Sequence, residues 1–262
     1  MSARATRMAM AVVLALTVAG CGAGDDRASD GRASDGRGTG AVTVFAAASL
    51  TESFRRIGKD FEAANPGSTV TLNVAGSSAL ANQINQGAPA DVFASAAPAN
   101  MATVTEAGNA DGTPTVFARN QLVVAVPRGN PAGVTGLADL SRSGVKVALC
   151  ATQVPCGAAA RTALDAAGVA LTPVTLEQDV KSALAKVKLG EVDAALVYRT
   201  DVRAASGDVT AVEFPESARA VNDYPIVALK DAPNPAEARA FVAYVRSAPA
   251  QAVLAEAGFQ AP

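Results

Sequence analysis

Ala41-Val42-Thr43-Val44-Phe45-Ala46-Ala47-Ala48-Ser49-Leu50-Thr51-Glu52 runs from an apolar stretch through three alanines into a hydroxyl, a leucine and an acid. The apolar run predicts a short buried strand over 42–46. The spacing that follows predicts an amphipathic helix over 50–64, ended by Asn65-Pro66-Gly67. A strand that passes through small residues straight into a helix is the repeating unit of a parallel α/β sheet.

The unit recurs down the chain. Strands are expected over 69–74, 90–95, 122–126, 145–149, 174–176, 194–198 and 224–229. Helices are expected over 79–86, 98–107, 157–167, 180–189, 235–246 and 250–257. This alternation implies mainly parallel sheets with helices on both faces. The length fits two such domains, with 121–126 and 224–229 as the crossing strands. One lobe then takes 41–121 plus 224–262, the other 122–223, with a hinge near 121–126 and 222–228.

Composition removes several classes of function. The chain has 262 residues, is half hydrophobic and carries 22 basic against 24 acidic side chains, a net charge of −2. Without a basic excess, a nucleic-acid binder is not expected. There is no histidine, so Ser-His-Asp and Cys-His catalysis and His-ligated metals are excluded. Three cysteines are too few for a four-thiolate zinc site.

Arg4 and Arg7 precede an apolar run over 8–18, and Val18-Ala19-Gly20-Cys21 follows. This order describes a secretory signal over 1–20. The run is shorter than the ~20 residues that a membrane-spanning helix needs. Val-Ala-Gly-Cys resembles a bacterial lipobox, which implies cleavage before Cys21 and a lipid on its thiol and amine. Loss of the two arginines takes the net charge to −4. Residues 22–40 are rich in Gly, Ser, Asp and Arg, with RASDG occurring twice in tandem from Arg27. Lacking large apolar residues, this stretch reads as a flexible tether within a 21–40 anchor segment. The expected location is the extracytoplasmic face of the cell membrane, held by the lipid. Cys150 and Cys156 remain, with five residues between them. An exported context favours a disulfide, and two buried thiols are the alternative.

Ligands of open parallel sheets sit beyond the strand ends, against helix N-termini. Four junctions therefore matter: Ala48-Ser49-Leu50, Gly76-Ser77-Ser78, Val154-Pro155-Cys156-Gly157 and Gln178-Asp179-Val180-Lys181. Ser49 and Glu52 match a capping box, and Asp179 is a natural N-cap. Each junction is ordinary alone. Together they supply free backbone N–H groups at the positive ends of helices, which bind oxyanions without a cationic side chain.

These stretches, with VFAAASL, GSSALANQINQGAPADVF, VPCGAAARTAL, DVKSAL, ALVYRTD and NDYPIVAL, resemble the periplasmic molybdate-binding protein (ModA) family of ABC importers. The resemblance covers most of residues 42–259 in the family's order. It implies a two-lobed periplasmic binding protein of the type II, Venus-flytrap class that closes on its ligand about a hinge. It also implies ligand contacts at Ser49, Ser77, Cys156, Val180 and Tyr198. The serines would give hydroxyl and backbone donors, Cys156 and Val180 backbone N–H groups, and Tyr198 its phenol. Tyr198 could equally be a core aromatic with its hydroxyl satisfied nearby. The family more often has Ala where Cys156 stands.

The expected ligand is molybdate or tungstate, with no cofactor and with molybdenum bound only as its oxyanion. The expected partner is a membrane ABC permease, with the chain itself a monomer and not an enzyme. Sulfate or another oxyanion is the alternative ligand. A serine hydrolase using Ser49 is the alternative class, but it lacks His and any G-x-S-x-G or Ser-x-x-Lys turn.

Overall fold

A computed structural model describes residues 40–262. The expected signal segment, Cys21 and the tether up to residue 39 lie outside the described residues.

The described residues form two five-stranded sheets. The first contains β1 (Ala41–Ala47), β2 (Thr69–Ala75), β3 (Val92–Ala94), β4 (Ala110–Asn120) and β10 (Asn222–Leu229), in the order β2-β1-β3-β10-β4. The second contains β5 (Leu122–Pro127), β6 (Val147–Cys150), β7 (Thr175–Glu177), β8 (Ala194–Tyr198) and β9 (Val209–Val212), in the order β7-β6-β8-β5-β9. β2, β1 and β3 are mutually parallel, as are β7, β6 and β8. Each sheet has one reversed strand, β10 in the first and β5 in the second. The fold is therefore two α/β lobes with mainly parallel sheets.

The helices are α1 (Thr51–Ala64), α2 (Ser77–Asn85), α3 (Pro98–Glu106), α4 (Pro155–Ala167), α5 (Val180–Lys188), α6 (Arg199–Ala204), α7 (Pro235–Val245) and α8 (Ala248–Ala257). None of the described helices is long and apolar enough to cross a membrane. Central strands read as continuous apolar runs because helices cover both faces: every residue of Leu122–Val126 is fully buried. In α1 the stripe Phe54, Ile57 and Phe61 is buried at helical spacing. Each such side chain contributes about 1.5–3 kcal/mol on burial. Phe54 and Phe61 pack on Phe241 of α7, so both ends of the chain build the first lobe's core.

Two strands depart from the expected pattern. β4 escapes the alternation because Gly112 and Pro114 interrupt it. It survives at the sheet edge, where a missing donor is tolerated, and its pairing with β10 shifts register near Pro225. The four-residue β9 is likewise an edge strand.

Candidate functional site

The strand-to-helix junctions of both lobes meet around one small cavity. It is lined by Ala47, Ala48, Ser49, Gly76, Ser77 and Ala96 from the first lobe. Val154, Pro155, Cys156, Asp179, Val180 and Tyr198 line it from the second. Its empty space is about 190 Å³, counting the opening to solvent. A second hollow, with about 900 Å³ of empty space counting its opening to solvent, lies along the C-terminal end of α4 and the loop after it, from Arg161 to Thr172. All five residues expected to contact the ligand therefore stand around the same space.

Each junction presents donors for a local reason. A 3₁₀ turn, Ala48–Leu50, precedes α1. Gly76 caps α2 and Val154 caps α4, neither with a side-chain hydrogen bond. The first N–H groups of a helix have no intrahelical acceptor. Those of Ser77, Cys156 and Val180 are accordingly left at helix starts beside the cavity. In α5 the Asp179 carboxylate accepts from Ser182 N–H at 2.9 Å and from the Ser182 hydroxyl at 2.8 Å. Asp179 is the one charged side chain in the lining, and both of its oxygens are turned to its own helix. Among the described residues, no Lys or Arg lines the cavity.

The hydroxyls are oriented by their partners. Ser77 Oγ, almost fully buried, accepts from Ala96 N–H at 2.9 Å, so its own proton is free to donate. Ser49 Oγ lies 2.9 Å from the Tyr224 hydroxyl. Asn120 Nδ2, which can only donate, lies 3.4 Å from the same Tyr224 oxygen. That polarity favours Tyr224 donating to Ser49 and Ser49 donating onward. Burial pushes the Tyr224 phenol upward, so it is a poor general base for Ser49.

The capping box expected at Ser49 and Glu52 does not form. The 3₁₀ turn delays the helix, Leu50 takes the N-cap position, and Ser49 faces Tyr224 instead. Glu52 reaches the other lobe, where its carboxylate lies 2.7 Å from Lys181 Nζ. The expectation that Asp179 caps α5 agrees with the structure.

Tyr198 is 1% exposed; its hydroxyl makes no hydrogen bond of good geometry among the described residues, although the Tyr224 hydroxyl and Asn222 stand close enough to perturb it. Its ring packs in the core against Tyr224, and the residue also lines the cavity. Burial, then the neighbouring Tyr224 and Asp201, hold its pKa well above the ordinary phenol value, so it stays a donor. An unpaired buried hydroxyl costs about 1–3 kcal/mol, a cost that a ligand oxygen would remove.

Cys150 ends β6 and Cys156 sits in the first turn of α4; their Cα atoms are 5.8 Å apart and their sulfurs are bonded. The bridge lashes a strand end to the helix start that lines the cavity. A loop this short stabilises by about 2–3 kcal/mol on chain-entropy grounds. Reduction and alkylation should lower the ligand-free melting temperature by about 4–10 °C. An unchanged melting curve would show the bridge to be energetically idle.

Lys181 also lies 3.1 Å from Asp201 Oδ1, which is fully buried. Burial would lower the Lys181 pKa, but Asp201 and then Glu52 outweigh it and leave it raised. Burial lifts Asp201 from 3.8 to about 6, against the pull of Lys181. The folded chain thus holds this proton more tightly than the unfolded chain between about pH 4 and 6. The Asp201 contribution to stability falls across that window as pH rises, by on the order of 3 kcal/mol. Denaturant titrations of wild type and Asp201→Asn should diverge there, with wild type losing stability relative to the variant. Parallel curves would place the Asp201 titration elsewhere.

Comparison with known proteins gives the same architecture. The family of bacterial extracellular solute-binding proteins matches residues 42–260. The molybdate-binding protein ModA of Mycobacterium tuberculosis is 45% identical over 254 residues, covering 96% of this chain and 97% of that one. The periplasmic molybdate-binding protein of Azotobacter vinelandii superposes with a TM-score of 0.74 at 21% identity, over 84% of this chain and 99% of that one. The sulfate-binding protein SubI of M. tuberculosis shares the fold at a TM-score of 0.71 and 19% identity, over 84% and 86% of the two chains. The chain belongs to the bacterial extracellular solute-binding protein family, alongside the ModA proteins.

Proposed function

We propose that the chain captures molybdate, and tungstate equally well, between its two lobes and delivers it to the permease of an ABC importer. The observation that carries this reading is the convergence of donors on one small cavity in whose lining, among the described residues, no basic side chain stands. Ser49, Ser77 and Tyr198 offer hydroxyls, and Ser77, Cys156 and Val180 offer backbone N–H groups. A fully deprotonated tetrahedral dianion only accepts hydrogen bonds, and charge-assisted bonds are strong in a dry site. A protonated phosphate would bring an O–H into a lining of donors, where the one carboxylate, Asp179, has each oxygen turned to its own helix. The identity to ModA relatives supports the ligand assignment.

In this reading the lobes, 41–121 with 224–262 and 122–223, close about the two connecting strands. Cys21 carries the lipid, residues 21–40 span from membrane to domain, and the chain acts as a monomer. Calorimetric titration tests the ligand. Molybdate and tungstate should bind with similar affinity, sulfate far more weakly and phosphate hardly at all. Sulfate binding as tight as molybdate would instead make the chain a general dianion carrier.

A further inference from the structure

Gly76 stands where the two lobes touch. An ideal Cβ at this position would lie 2.2 Å from the backbone carbonyl oxygen of Gln178 and 3.6 Å from Asp179 Cβ, both in the other lobe. Real Cβ atoms do not approach a backbone oxygen so closely, and a backbone group cannot rotate away as a side chain can. Yet the Gly76 backbone, at φ −60° and ψ 137°, is one that any residue adopts. Nothing within its own lobe thus demands glycine. Gly157 makes the contrast. Its Cβ would lie 2.0 Å from Ala151 O, inside its own turn, so there the requirement is local.

Three further contacts show that the lobes meet here. Ala48, from the first lobe's 3₁₀ turn, packs in the second lobe's core cluster. Asn100 Nδ2 donates to Gln153 O at 3.4 Å, and Lys181 pairs with Glu52 at 2.7 Å.

Resting on the proposed capture between closing lobes, we infer that Gly76 is the closure determinant of the protein. Its missing side chain lets the α2 start reach the Gln178 carbonyl, which brings the Ser77 donors within range of those on α4 and α5. A methyl group at position 76 would hold the cleft ajar, so the donors of the two lobes would no longer reach one anion together.

The test is Gly76→Ala in the full mature chain, with two readouts of closure and a stability control. The first is molybdate affinity, expected to fall by about 10- to 100-fold. The ligand-free melting temperature should move by no more than about 2–4 °C, since only an N-cap preference changes. The second readout needs no ligand. A zero-length carbodiimide joins Glu52 to Lys181 as an amide only when the lobes are closed, and mass spectrometry counts the linked peptides. That yield should drop in Gly76→Ala relative to wild type. An undiminished yield, or wild-type molybdate affinity in the variant, would overturn the inference. If wild type cross-links but takes up no molybdate, the ligand assignment fails, and the cross-link yield alone decides the role of Gly76.

Discussion

Tyr198→Phe should weaken molybdate binding by about 10- to 150-fold while leaving the ligand-free protein as stable or more so. The two halves of this result have one cause. In the structure the Tyr198 hydroxyl is buried without a well-formed hydrogen bond, so deleting it removes a desolvation cost. In the complex the same hydroxyl would donate to a charged oxygen, a bond worth about 1.5–3 kcal/mol. Phenylalanine keeps the ring against Tyr224, where the centroids are 5.9 Å apart. Affinity by calorimetry and melting temperature by scanning fluorimetry check both halves. A variant that binds molybdate as wild type does would return Tyr198 to the core.

Ser77→Ala should cost a comparable 10- to 150-fold or so in affinity, but with a different stability signature. Its hydroxyl accepts from Ala96 N–H as well as facing the cavity, so alanine orphans a buried donor. The ligand-free protein should therefore lose about 1 kcal/mol, unlike Tyr198→Phe. Ser49→Ala belongs with Ser77→Ala, because it strands the Tyr224 hydroxyl. Were Ser49 only a partner for the Tyr224 hydroxyl, its removal would lower stability by about 1 kcal/mol and leave affinity alone. Unchanged affinity in both serine variants would dissolve the hydroxyl half of the site.

The sequence shows the donors more clearly than it shows what aims them. Ser49, Ser77, Cys156 and Val180 sit at strand-to-helix junctions, and such junctions are legible because apolar runs, small residues and helical spacing are local signals. The Tyr224 hydroxyl that orients Ser49 is 175 residues away from it, so no local pattern joins the two. The same holds for Lys181, 129 residues from Glu52, and for Gly76, whose need for glycine arises only against the other lobe. The local pattern at Ser49 and Glu52 fits a capping box, and tertiary contacts displace it. Those contacts are the Tyr224 hydroxyl on one side and the Lys181 ammonium on the other. β4 shows the converse: Gly112 and Pro114 hide a strand that pairing with β10 nevertheless holds.

The central claim is that one oxyanion sits between the lobes, held by donors from both. The most direct measurement is a crystal structure of the mature chain grown with molybdate, with anomalous differences collected at the molybdenum edge. A single molybdenum peak is predicted in the cavity between Ser49, Ser77, Cys156, Val180 and Tyr198. The Tyr198 hydroxyl and helix-start N–H groups from both lobes should lie within hydrogen-bond distance of its oxygens, about 2.7–3.1 Å. A peak bound to one lobe alone, at a surface cluster, or absent from this cavity would contradict the account.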